Sequence, residues 1–141
     1  MRIAVSALAV MLAIVSLSAQ TDSASAPVVL PFGDQVLSYR KLFSERPGRL
    51  SITGGEGHVA FTLYYVETFC EEYDYSFEKD TTYLYIRHLV ADTASCNSDE
   101  NKLYGVRGTV SNLDAGTYLL ILEFGDANGT NRVFQDVVVV K

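Results

Sequence analysis

The 141-residue chain has no tryptophan, two cysteines, two histidines and three prolines. With so few soft or imidazole ligands, a zinc site has little to be built from. Neither Cys70 nor Cys96 has a second Cys or a His at ligand spacing. No G-x-S-x-G, no H-E-x-x-H and no cysteine with a plausible histidine partner is present, so the common nucleophile and metalloprotease signatures are missing. Basic residues are also scarce, 11 Lys and Arg against 17 Asp and Glu, for a formal net charge of −6. Phosphate backbones and anionic membranes are bound by clustered Lys and Arg, so nucleic acid is not an expected partner. No window keeps a helical apolar period over three turns. The longest apolar run, Ile3 to Val15, is broken only by Ser6 and falls short of the roughly 20 residues of a bilayer span.

That short run is informative in itself. Arg2 precedes it, and Ser16-Leu17-Ser18-Ala19-Gln20 follows with small residues suited to cleavage after Ser18 or Ala19. Residues 1–19 therefore read as a cleaved signal peptide and 20–27 as a flexible Ser/Ala/Thr-rich tether. Residues 28–141 read as one domain, large enough for a real core. No Cys follows the run, so lipid modification there is not expected. The mature protein is expected to be secreted or periplasmic, with no membrane anchor. In that oxidising setting Cys70 and Cys96 read as a disulfide, which restricts the unfolded chain by roughly 3 kcal/mol.

Past the tether the chain is short strands between turn signals. Val28 to Leu30 lies between two prolines and suits an edge. Gln35 to Phe43 is a second early strand. Leu50 and Ile52 alternate with polar neighbours, as do Val59, Phe61, Leu63 and Tyr65. Tyr73, Tyr75 and Phe77 share a face. Leu84 and Ile86 oppose Tyr83, Tyr85 and Arg87. A polar loop spans Ala91 to Asn101. Tyr104 to Val110 leads to a turn, and an Asn-Gly hairpin separates Thr117–Phe124 from Arg132–Val140. Val137 to Val140 suits either a strand buried on both sides or one that completes a sheet late.

Asp114-Ala115-Gly116-Thr117-Tyr118 has the spacing of a tyrosine corner, in which the chain arches between sheets and the Tyr hydroxyl returns to upstream backbone. Asp114, Gly116 and Tyr118 are therefore structural residues. The expected fold is all-β, a Greek-key immunoglobulin-like sandwich of about seven strands.

Candidate chemistry is thin. Gly55-Glu56-Gly57-His58-Val59-Ala60 matches G-x-G-x-x-A, yet alternation resumes at once. A strand follows, not the helix whose N-terminus would bind pyrophosphate, so a hairpin turn is expected. His58 and His88 read as surface or rim imidazoles. Cys70 to Asp74 and Asp126 to Thr130 are acidic, but the second has the wrong spacing for a calcium loop, and both read as solvated. No cofactor and no metal are expected. Paired carboxylates for glycoside hydrolysis stay open, because their separation exists only in three dimensions. Asn128-Gly129-Thr130 is a glycosylation triplet and also a turn.

Tyrosine is abundant, at nine residues. Tyr64, Tyr73, Tyr75, Tyr83 and Tyr85 fall on neighbouring strands and form the candidate binding surface. On one sheet face they would make an amphipathic platform for a protein or glycan partner. Divided between core and surface, they would be ordinary strand residues.

With its Gly-x-Tyr strand, valine-rich last strand and terminal Lys141, the last third of the chain resembles bacterial secreted immunoglobulin-like and fibronectin-type-III-like domains. It also resembles the C-terminal sorting domains of type IX secretion substrates. The resemblance implies an exported sandwich used for binding or assembly. The expected function is thus a non-catalytic binding or structural module. The alternative is a small secreted enzyme or inhibitor using the Cys70–Cys96 region, with Glu67 to Asp80 as an exposed loop.

Overall fold

Alternating apolar and polar side chains produce nine strands among the described residues, rather than about seven. The computed structural model describes residues 26–43, 49–70, 72–125 and 129–141. The expected signal peptide, most of the expected tether, residues 44–48 and Asn128 lie outside the described residues. The strands are β1 (Val28–Phe32), β2 (Gln35–Phe43), β3 (Ser51–Gly55), β4 (His58–Cys70), β5 (Tyr73–Asp80), β6 (Tyr83–Val90), β7 (Cys96–Ser111), β8 (Gly116–Gly125) and β9 (Asn131–Val140). A short 3-10 turn, Thr93–Ser95, precedes β7.

They form two sheets. One has the order β1-β2-β7-β4-β3 and the other β5-β6-β8-β9. Leu37, Tyr39, Val59, Phe61, Leu63, Val106 and Val110 face inward from the five-stranded sheet. Phe77, Leu84, Ile86, Leu120, Leu122, Phe124, Val138 and Val140 meet them from the four-stranded sheet. Burying each such side chain contributes roughly 1.5–3 kcal/mol before conformational entropy is counted.

One pairing breaks the expected pattern. β6 and β8 run parallel, with Tyr83 beside Leu119 and Arg87 beside Glu123. Immunoglobulin sandwiches are built from antiparallel sheets, so the four-stranded sheet departs from them here.

The polar stretch expected as a loop is also different. From Cys96 onward it is strand, paired with the far end of β4 across an irregularity between Thr68 and Phe69. Backbone ladders need no apolar side chains, so a polar segment beside a 13-residue partner strand can pair with it. Cys70 and Cys96 sit opposite each other at the end of this ribbon, Cα atoms 3.9 Å apart, and form the disulfide. The two Cα atoms thus meet the limit of about 7 Å that a bridge imposes.

The corner is present. Tyr118 is buried, and its hydroxyl donates to the Asp114 carbonyl at 3.0 Å. Both sides of the sandwich are fastened. Phe32 of β1 meets Phe77 of β5 edge-on at 6.2 Å. On the other side the Lys141 amide donates to Gly55 O and the Gly57 amide donates to Lys141 O, at 3.0 and 3.2 Å. β9 comes so close to β3 there that a Cβ on Gly54 would strike the Val139 carbonyl.

Candidate functional site

The five tyrosines of the candidate surface divide among three places. β5 and β6 form a hairpin whose register sets Tyr75 beside His88 and Asp80 beside Tyr83. Side chains along a strand alternate between faces. Tyr73 and Tyr75 share the inward face of β5 with buried Phe77, whereas Tyr83 and Tyr85 lie outward between buried Leu84 and Ile86. Tyr64 belongs to the other sheet. It follows buried Leu63 and points outward, its ring lying against Gly105 where a Cβ would collide with it. No common platform of five rings exists.

The inward pair surrounds His88. This histidine is 1% exposed, not a rim residue. Its ring contacts Tyr73, Tyr75, Phe124 and Tyr39 at centroid distances of 4.4, 4.9, 5.3 and 5.8 Å. Its Nδ1 is hydrogen-bonded to the Tyr39 hydroxyl at 2.7 Å. Burial, with a smaller contribution from the Lys41 charge, lowers its pKa to about 3, so the imidazole is neutral. Lys41 Nζ itself lies 3.9 Å from the Tyr73 ring centroid. The enclosed ring makes this cluster a packing centre between the sheets. Extending the Leu84, Ile86 alternation by one more step would have placed His88 inside. His58, in contrast, is exposed and bonds the Glu56 carbonyl at 3.0 Å. It opens β4 directly after the Glu56-Gly57 turn, so the glycine motif there is a hairpin.

The outward pair opens onto a larger surface. Tyr83 and Tyr85 stack at 5.9 Å with their planes 19° apart. The ladder places Tyr83 beside Leu119 and Leu119 beside Val137. Tyr85 lies beside Ile121, and Thr117 beside Val139. Val137 and Val139 are each 59% exposed and Tyr83 41%. An apolar face therefore crosses β6, β8 and β9 on the outside of the four-stranded sheet. One end is bounded by charge. Arg87 bonds Glu123 at 3.1 Å and approaches Glu78 at 3.8 Å, and Asn131 donates to Glu123 at 2.9 Å. Beyond them Val133 is 57% exposed. Leu119, Ile121 and the valines were not legible as a site. The Leu119 to Leu122 run is apolar on both faces, and Val137 to Val140 is not buried on both sides: β9 is the last strand and completes the sheet at its edge, with Val137 and Val139 exposed.

Ahead of its approach to β3, the outer edge of β9 is partly blunted. Asp136 accepts the Val137 amide at 2.8 Å, which occupies a donor that another strand would otherwise use.

The inhibitor reading needed a projecting loop between Glu67 and Asp80. These residues are mostly the end of β4 and all of β5, with only 71 and 72 between the strands. Among the described residues no group of three or more His, Cys, Asp and Glu is gathered to hold a metal ion. Among the same residues no helix is long and apolar enough to cross a membrane. No family model, curated protein or solved structure matches the chain.

Proposed function

We propose that this is an exported, non-catalytic binding or assembly module that docks a protein on the outer face of its four-stranded sheet. One observation carries the reading: stacked Tyr83 and Tyr85 continue into exposed Val137 and Val139 with no charge between them. Contiguous apolar surface of this kind, with polar groups at its border, marks interaction sites. Tyr supplies large contact area at low conformational cost. The aliphatic half decides between partner classes. Leu119, Ile121, Val137 and Val139 offer no hydrogen bonds to sugar hydroxyls, whereas they match the apolar centre of a protein interface. Glu78 and Asp80 border the face on β5, so basic residues on the partner fit there.

Export rests on the short apolar leader and is supported by the Cys70–Cys96 bridge. Greek-key connectivity is part of the same proposal. It is supported by three crossings between sheets, β4 to β5, β6 to β7 and β7 to β8.

The test places a photo-crosslinking residue at Val137 or, as control, at Thr53 on the opposite outer face. The expected result is one defined protein adduct in the exported fraction at Val137 and none at Thr53. Intact mass of the uncrosslinked protein should begin near Gln20. No adduct, or equal adducts from both faces, would overturn the docking face.

A further inference from the structure

The outer face of the five-stranded sheet has a different chemistry. β2 and β7 pair so that Arg40 stands directly opposite Arg107, and Ser38 directly opposite Thr109. All four project outward, because Leu37, Tyr39, Val106 and Val110 between and beside them are buried inside. Like charges directly opposite on neighbouring strands are destabilising. Here they stand together in a chain of net charge −6. Among the described residues neither arginine has a carboxylate partner, whereas Arg87 on the other sheet has two.

Among the described residues the neighbouring strand segments offer hydroxyls and no carboxylate. Thr62 lies beside Arg107 on β4, and Ser51 beside Thr62 on β3. No Asp or Glu occurs from Val36 to Phe43, Ser51 to Gly55, His58 to Val66 or Gly105 to Ser111. The two arginines, Ser38 and Thr109 line a shallow depression of about 250 Å3, closed on one side by Pro27. Tyr64, next along the outer face of β4, lays its ring over Gly105 two residues before Arg107.

We propose that Arg40 and Arg107, with the hydroxyls of Ser38 and Thr109, bind the oxyanion of an acidic saccharide, a sulfate or carboxylate. A guanidinium presents a planar fork that matches an oxyanion in a bidentate manner, and two such forks together balance the charge that now repels. The depression is partly open and lies on the outer face of the sheet. It suits a chain of sugars laid across the strands, with hydroxyls of Thr62 and Ser51 and the Tyr64 ring along its path. This site is separate from the apolar face proposed for a protein partner and stands or falls without it.

Isothermal titration at low ionic strength tests the proposal. The probes are a heparin-derived hexasaccharide, hexagalacturonate, neutral cellohexaose and inorganic sulfate. The expected result is binding of at least one acidic hexasaccharide, no binding of cellohexaose, and weaker binding of sulfate alone. Arg107→Gln and Arg40→Gln should each weaken the acidic saccharide about tenfold or more, the worth of one charge-assisted hydrogen bond. The urea midpoint of each variant should stay unchanged or rise, because a repulsion is relieved. Absence of binding by both acidic saccharides, or equal binding by the Arg107→Gln protein, would overturn the site. Sulfate binding as tightly as the saccharides would overturn the saccharide as occupant. A large drop in urea midpoint on Arg107→Gln would show that the pair serves the fold instead.

Discussion

Tyr73 and Tyr75 lie on one arm of a hairpin, Tyr83 and Tyr85 on the other, each pair spaced by two residues. The first pair faces inward and packs around a neutral histidine. The second faces outward and stacks on itself beside exposed valines. Residue type is the same in all four. The difference is strand parity relative to a two-residue turn, Thr81-Thr82. Composition thus says that a protein is rich in tyrosine, and parity decides which tyrosines build the core and which are left on the surface.

The comparison breaks most readily at its inner half. Tyr39 is 1% exposed, touches Tyr75 and bonds His88. Tyr39→Ala should lower unfolding free energy by about 3–5 kcal/mol, as aromatic truncations in cores do. Urea denaturation at neutral pH measures it. A loss below about 1 kcal/mol would mean that the inner cluster does not hold the sheets together.

Acid should act on the same cluster. The folded His88 pKa is depressed to about 3, against 6.5 when unfolded. Between these values the unfolded chain binds a proton that the folded chain refuses. Stability from this group is therefore complete above about pH 6.5 and falls as pH falls. The loss is about 3 kcal/mol by pH 4, from roughly 1.4 kcal/mol per pH unit. A His88→Gln protein starts less stable at pH 7 and should lack this part of the slope. Identical slopes in the two proteins would show that His88 titrates near its ordinary value.

A smaller effect is expected at the corner. Tyr118→Phe removes the bond to the Asp114 carbonyl and should cost on the order of 1–2 kcal/mol in the same urea assay. An unchanged midpoint would reduce the corner to a geometric coincidence.

Much of the fold was legible because period-two alternation survives in each segment with one buried face. β4, β6 and β8 are plain examples, and the corner spacing marks the β7–β8 crossing. The first half of β7 was not legible, since its polar residues pair through backbone that carries no side-chain signal. The parallel β6–β8 contact joins segments more than thirty residues apart by register, and no local pattern reports such a pairing. The apolar face was hidden for a related reason. Leu119 and Ile121 look like core until β8 is known to bury only Leu120, Leu122 and their parity mates. The Arg40–Arg107 row appears only once β2 is paired with β7.

The smallest effect on stability should come from the outer pair, and it gives the most direct test of the account. A Tyr83→Ser/Tyr85→Ser protein removes two stacked rings that lie outside the core. The measurement is sedimentation velocity on the exported fraction under native conditions, with urea denaturation of the purified variant alongside. The account predicts that the wild-type protein sediments in a complex larger than the domain. The double variant should sediment as the free domain, with a urea midpoint close to wild type, within the roughly 0.5 kcal/mol per site typical of surface changes. A complex that survives the double substitution would contradict the central claim, as would a stability loss as large as that of Tyr39→Ala.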